Sequence, residues 1–294
     1  MFRTKFRVLR SHGIQYIKRL DEAALPEIFR GRPVLTDPAE AAHPGDPQNG
    51  DAPTHTAGGD DISGPEACNG STTRPGMTPG ELAALCPTGA ITATPFSLDL
   101  GRCLFCGECA RRAPHLIRFT NDYHMAANDR RALVITPQTT ALTPDPDLVR
   151  REITRTFGHA LKLREVCAGG EGSTEMELGA SMNVNFDFGR YGIDFTASPR
   201  HADGLVLTGP ITENMARALE LCYEAIAEPK LLIVAGADAI SGGLFAGSPA
   251  IDRRFLDRVA PDLYLPGNPV HPLTFIHGVM ALTGRPFTGK KRKR

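Results

Sequence analysis

The stretch GRCLFCGECARRAPHL, residues 101–116, decides how the first half of this 294-residue chain is read. Cys103, Cys106 and Cys109 stand at the spacing that holds three corners of a cubane iron–sulfur cluster, and Ala113 sits where a fourth cysteine would complete the C-x2-C-x2-C-x3-C-P run. In arrangements with two such clusters, the fourth cysteine of each run ligates the other cluster. The partner of the triple is therefore expected upstream as a lone Cys-Pro, and Cys86-Pro87 in LCPTGAI fits that place. The same logic asks a second cluster for cysteines at positions that hold Gly76, Pro79, Leu82 and Ala113. One set of ligands, Cys86, Cys103, Cys106 and Cys109, is complete and the other is wholly absent, so Ala113 belongs to the missing cluster. The expected cofactor is one 4Fe-4S cluster; zinc on the same four thiolates and a metal-free remnant are the alternatives.

Composition sets the frame for that motif. Hydrophobic residues make up 41% of the chain, ordinary for a protein with packed cores, and the length has room for two domains. No run approaches the roughly 18 consecutive apolar residues of a membrane span. The start, MFRTKFRVLR, is basic but is not followed by the apolar run and small-residue site of a signal peptide, so a cytoplasmic protein is expected. Seven cysteines, odd in number and grouped by motif, point to metal ligation in a reducing compartment rather than to secreted disulfides. Zero formal net charge gives no support for nucleic acid as a partner.

Charge and residue type divide the chain into segments. Residues 1–36 form a basic N-terminal docking segment, and 37–75 are rich in Pro, Gly and Asp and are expected to be a disordered insertion, with Cys68 as a free surface thiol. Residues 76–137 carry the cysteine motif: TPGELAAL predicts a Thr-capped amphipathic helix ending at Cys86, and IRFTNDYHMAANDRRALVITP predicts a strand, a turn and a second strand. Residues 138–147 look like a linker, and 286–294 form a basic tail ending in KKRKR. Within 148–285, strands at 203–209, 230–236 and 262–267 alternate with helices at 212–228 and 272–282, which argues for an α/β domain with a mostly parallel sheet. Cys222 on the first of these helices is expected to be a buried small hydrophobe.

RGRPVL (30–35), CPTGAI and CLFCGECARRAP together resemble the ferredoxin subunit of membrane-bound respiratory and hydrogenase complexes, of the complex I 23 kDa and formate hydrogenlyase type. That resemblance implies an α+β ferredoxin-like domain. LREVCAGGEGSTEMEL (163–178), SPRHADGLVLTGPITENM (198–215), EPKLLIVAGADAISGG (228–243) and YLPGNPVHP (264–272) resemble the small subunit shared by complex I, its 20 kDa subunit, and group 4 nickel–iron hydrogenases. It implies a flavodoxin-like α/β domain, a large-subunit partner of the complex I 49 kDa or hydrogenase type, membrane-arm subunits, and a place on the inner face of the cytoplasmic membrane. In that family four cysteines hold a cluster beside the large subunit. Glu171, Thr174, Asp238 and Asn268 stand at those positions here, and Cys167 lies four residues too early to replace the first.

The expectation is therefore a natural fusion: a one-cluster ferredoxin module passing single electrons, joined to a small-subunit module without a cluster that packs and docks. No residue is expected to perform bond chemistry. The alternative is a non-redox scaffold or regulatory subunit whose cluster is structural or a sensor. Oxygen ligands at 171, 238 and 268 suit a thiolate-built cluster poorly; a hard cation or protons at Glu171 and Asp238 is the competing reading there. His271 and His277 are expected to cap or pack, and Gly242-Gly243 to mark a close backbone approach rather than a phosphate loop. The basic N-terminal segment and tail suit an anionic membrane surface, an acidic partner or solubility equally.

Overall fold

The computed structural model describes residues 15–41 and 77–287, together with Thr4, Lys5, Arg7, Arg10 and Ser11. Most of the expected insertion, with Cys68, and residues 288–294 of the basic tail lie outside the described residues.

The second half is built on a five-stranded parallel sheet of β6 (Leu161–Cys167), β7 (Ile193–Phe195), β8 (Gly204–Thr208), β9 (Leu231–Ala235) and β10 (Leu263–Leu265). Its order, β10-β9-β8-β6-β7, is the 2-1-3-4-5 order of flavodoxin-like sheets when counted from β6. Every residue of β8 and β9 is buried, because helices or the first half cover both faces. Successive residues alternate between two cores. Leu205, Leu207, Leu232 and Val234 point into one, which also takes the apolar residues of the cysteine-bearing half. Leu161, Leu163, Val206, Leu231 and Ile233 point into the other, beneath the long helix Pro272–Thr283.

The helices in chain order are α1 (Pro38–Ala41), α2 (Pro79–Leu85), α3 (Glu108–Arg112), α4 (Arg151–Phe157), α5 (Ser173–Ala180), α6 (Glu213–Glu224), α7 (Ala237–Ser241), α8 (Arg254–Arg258) and α9 (Pro272–Thr283). α9 starts at Pro272 with His271 as its N-cap, the ring Nδ1 accepting from the Leu273 N–H at 3.1 Å. The helix is apolar nearly all round and buried accordingly. Cys222 on α6 is only half-buried, and the neighbouring Leu221 is exposed. The 12-residue amphipathic α6 turns Leu219 to the core, while Leu221, two positions on, lands on its solvent side.

The first half carries shorter elements. β1 (Pro33–Leu35) pairs antiparallel with β4 (Ile117–Phe119), while β2 (Ile91–Ala93), β3 (Phe96–Asp99) and β5 (Val134–Ile135) form a three-stranded antiparallel sheet. The two strands expected after the cysteine motif thus exist but join different sheets. The segment expected to be a linker is packed: Leu142 is buried in the shared core, and the Asn128 amide holds the backbone of Asp145 from both sides at 2.8 Å.

The two halves meet along a continuous seam. Ala127 and Tyr264 form an antiparallel bridge, N to O at 3.1 and 2.7 Å, that extends the sheet beyond β10. Thr274 Oγ1 donates to the Tyr123 carbonyl, and a Cβ on Gly278 would stand 2.7 Å from that of Ala126. From residue 15 onward the segment expected to dock on a partner is bonded to the chain itself. Ile17 exchanges hydrogen bonds with Asn185 and Arg190, and the Tyr123 hydroxyl donates to the Leu20 carbonyl at 2.6 Å.

Burial in this seam makes stability depend on pH. His277, in ring contact with His124 at 3.9 Å and stacked on Phe287, is pushed down from 6.5 to about 4 by desolvation. The unfolded chain takes up that proton first on acidification, so the stability His277 contributes is complete above 6.5 and is lost as pH falls toward about 4. His277→Phe should therefore lose stability less steeply than wild type between about pH 7 and about pH 4, by up to one proton's worth of slope, in denaturant titrations across that range.

Candidate metal centre

Cys86 is the C-cap of α2, whose start is fixed by a capping box in which the Glu81 N–H donates to Thr78 Oγ1 while the Thr78 N–H donates to the Glu81 carboxylate at 2.8 Å. After Cys86 the chain turns, and the Ala90 N–H donates to Cys86 Sγ at 3.3 Å. The other three cysteines follow β3. Asp99 ends that strand in a bidentate pair with Arg130 at 2.8 and 2.6 Å, and its carbonyl accepts from the Cys103 N–H, so the loop starts from a fixed point. Within the loop the Phe105 N–H donates to Cys103 Sγ at 3.3 Å, and Phe105 itself is held at φ +53°. Gly107, at φ +77°, caps α3, and Cys109 lies in the first turn of that helix. Thr88 ties the two segments together by donating to the Arg102 carbonyl at 2.7 Å, with its hydroxyl 3.7 Å from Cys86 Sγ.

These constraints bring Cys86, Cys103, Cys106 and Cys109 to the wall of one cavity, otherwise lined mostly by apolar side chains such as Leu82, Leu98 and Phe119. Cys103 is buried, Cys86 and Cys109 are half-buried, and Cys106 faces solvent. Burial pushes the Cys103 thiol up to about 12 and Cys109 to about 11, and the neighbouring sulfurs of the set push in the same direction. A cationic centre reverses that balance, since ligation takes thiolates. Among the described residues no group of three or more His, Cys, Asp or Glu side chains is arranged to hold a metal ion. The four cysteines line one cavity. Four thiols, backbone N–H groups aimed at two of them and an apolar wall form a donor set that fits a cluster. Ala113, fully buried as the C-cap of α3, fills the position assigned to the missing cluster.

The positions assigned to the family cluster of the second half follow the carboxyl ends of β6, β9 and β10. Thr174 is buried, and its hydroxyl lies 3.2 Å from where a Cβ on Gly236 would stand. The Gly236 loop is bonded to the 265–268 loop through Gly236 N to Leu265 O at 2.8 Å and Ala237 N to Gly267 O at 3.0 Å. Asp238 is raised by burial and, second, by the charge of Glu171, so these two carboxylates share one neighbourhood. Glu171 is lowered, chiefly by the hydrogen bond from the Ser173 hydroxyl. Cys167 ends β6 half-buried, its thiol raised by burial and then by Glu175. Asn268 faces a different space, a cavity of about 230 Å³ whose far wall is Phe105 of the cysteine loop.

Sequence reasoning missed Glu165. It is raised to about 7 by burial first and by the charge of Glu175 second, while Glu175 accepts from the Thr208 hydroxyl at 2.7 Å. The alternation of β6 was the available signal: Glu165 shares a face with the buried Leu161 and Leu163.

The family described as NADH ubiquinone oxidoreductase, 20 Kd subunit, matches residues 167–282. The probable membrane-bound hydrogenase subunit mbhJ of Pyrococcus furiosus is 33% identical over 130 residues, which span 44% of this chain and 77% of that relative. The chain belongs to this family. Subunit K of the NAD(P)H-quinone oxidoreductase of Synechococcus sp. and that of Prochlorococcus marinus are each 41% identical over 108 residues. Those matches cover 36% of this chain and only 44% and 45% of the two relatives. Among solved structures, the membrane-bound sulfane sulfur reductase, an archaeal respiratory membrane complex, has a chain that matches at 22% identity and a TM-score of 0.40, covering 45% of this chain and 73% of that one. The 20 Kd subunit match opens at Cys167 and leaves the four cysteines of the first half outside it. No helix among the described residues of this family member is long and apolar enough to cross a membrane.

Because Glu165 has its folded value raised from 4.5 to about 7, its contribution to stability is complete below 4.5 and is lost as pH rises through about 7. Glu165→Gln should therefore gain on wild type as pH rises from about 5 to about 8, read as a widening difference in denaturant midpoint.

Proposed function

We propose that the chain is an iron–sulfur electron-transfer subunit of a membrane-associated oxidoreductase complex, related to NADH-quinone oxidoreductase and membrane-bound hydrogenase. The observation that carries this reading is the single cavity walled by Cys86, Cys103, Cys106 and Cys109, with backbone N–H groups donating to two of the sulfurs. A 4Fe-4S cluster bound there supplies reversible one-electron transfer. The chain's own part is to hold four thiolates at fixed positions, to keep Cys103 dry behind Leu82 and Leu98, and to leave Cys106 at the surface where a partner approaches. The C-x2-C-x2-C triple with a remote Cys-Pro favours a cluster over zinc on the same four thiolates. In this reading residues 76–137 are a ferredoxin module with one cluster, and 148–285 are a small-subunit module in which Glu171, Thr174, Asp238 and Asn268 replace cluster ligands. Residues 1–36 and 286–294 flank them as basic segments.

The family membership of residues 167–282 supports a place in a complex, with a large subunit of the complex I 49 kDa or hydrogenase type and membrane-arm subunits as partners at the inner face of the cytoplasmic membrane. Nucleic acid has no part in it. An electron would arrive from a reduced partner and leave to an oxidised one. The four oxygen-bearing side chains at the second site favour a competing reading, a scaffold or regulatory subunit whose cluster is structural or a sensor.

Anaerobically purified protein should contain about four irons and about four acid-labile sulfides per chain, and should give one cubane EPR signal on reversible reduction. Cys106→Ser, at the exposed corner, should lose or weaken that signal while the fold persists by circular dichroism. About eight irons would show that the second site is filled. Zinc or no metal would overturn the electron-transfer reading, and a cluster destroyed on reduction would favour the scaffold.

A further inference from the structure

Arg30, three residues before β1, reaches the cysteine loop from 75 residues away in sequence. Its Nε donates to the Phe105 carbonyl at 2.5 Å, while the N–H of the same Phe105 donates to Cys103 Sγ. Phe105 sits at φ +53°, a region that a bulky residue occupies only when its surroundings hold it there. The Arg30 stem also covers Gly107: a Cβ at that glycine would stand 3.1 Å from Arg30 Cδ.

The arginine is itself presented rigidly. Gly31 N donates to the Thr120 carbonyl at 2.7 Å, Arg32 N donates to the Asp122 carbonyl at 2.8 Å, and the Arg32 side chain pairs with the Asp122 carboxylate. On the other side Phe29 packs on the His271 ring at 4.9 Å.

The charge of Arg30 is not neutralised nearby. Arg111 and Arg112 both pair with Glu108, and Arg130 pairs with Asp99, but Arg30 has no carboxylate partner among the described residues. The one acid lining the cavity it shares with Asn268 is Glu177, and no ion pair joins the two among the described residues.

We propose that Arg30 sets the reduction potential of the cluster held by Cys86, Cys103, Cys106 and Cys109, by fixing the Phe105 peptide so that its N–H stays on Cys103 and by placing an uncompensated positive charge against the loop. This role rests on the cluster reading above. Reduction adds one negative charge to the cluster, so a permanent cation beside it stabilises the reduced form, and a retained N–H to sulfur does the same. Both effects raise the potential. Arg30 touches neither cluster nor partner directly and acts through the loop, as a positioning residue. Its exposure to solvent screens the charge and keeps the effect moderate.

The test is an EPR-monitored redox titration of the full chain, purified anaerobically, as wild type, Arg30→Lys and Arg30→Gln, each with its iron content measured. At the wild-type midpoint, Arg30→Gln should hold a reduced-to-oxidised ratio about threefold lower, equivalent to about 28 mV for a one-electron couple at 59 mV per tenfold. Arg30→Lys, which keeps the charge but loses the planar fork on the carbonyl, should fall between the two. A fully loaded Arg30→Gln with the wild-type midpoint overturns the proposal. If Arg30→Gln does not load with iron, Arg30→Lys decides: a lowered midpoint supports the role and an unchanged one overturns it. Wild-type protein without iron overturns the cluster itself, and this role with it.

Discussion

The antiparallel bridge between Ala127 and Tyr264 is the contact on which the rest of the molecule depends. It continues the parallel sheet of the second half into the chain that leads from the cysteine motif, so β10 is not an open edge and the two halves share one core. Phe105 of the cysteine loop and Asn268 of the second half then line one cavity. Relative motion of two domains is the ordinary expectation where their interface is small and polar. Here the interface is apolar, carries backbone hydrogen bonds and is strapped by residues 15–32, so the geometry between the sites is fixed by packing.

Burial acts in opposite ways on the two sites. In the first it raises Cys103 and Cys109 far above the range where thiolates form unaided, so occupancy by a cationic centre and ionisation of the thiols must come together. In the second it raises Asp238, Glu165 and Glu177 toward neutrality, with Glu171 and Glu175 adding repulsion to the first two. Soft donors around an apolar cavity suit a cluster, whereas carboxylates, an amide and a threonine hydroxyl are a poor substitute for thiolates.

Much of this was legible in the sequence, for reasons that particular residues make plain. β8, β9 and β10 read as continuous apolar runs because both sheet faces are covered, and Thr78 with Glu81 announced the start of α2. The spacing of the cysteines singled out Cys86, Cys103, Cys106 and Cys109, which line one cavity. β6 was harder: Lys162, Arg164 and Glu165 interrupt its apolar pattern, since it lies next to the edge strand β7, and β7 itself is only three residues long. The packing of 138–147 was hidden because Pro and Thr are also what a free linker contains; only Leu142 marks it as a core segment. The Arg30–Phe105 and His124–His277 contacts join residues 75 and 153 apart in the chain, and no local pattern reports that.

The two halves differ in how much they need their metal. The second half holds its loops with its own backbone: Gly236 and Ala237 bond to the 265–268 loop, and Ala168 N donates to the Thr208 carbonyl at 2.9 Å. Its central strands are buried on both faces, so the sheet holds without help from Glu171, Thr174, Asp238 or Asn268. The first half has strands of two to four residues and helices of four to seven. Segments that short bury little surface by themselves and are marginal without a staple or a neighbour. Its neighbour is the second half, reached through the shared core; its staple, under the cluster reading, is the metal centre that joins Cys86 to the 103–109 loop. The second half thus supplies the apolar wall against which the cysteine-bearing half packs.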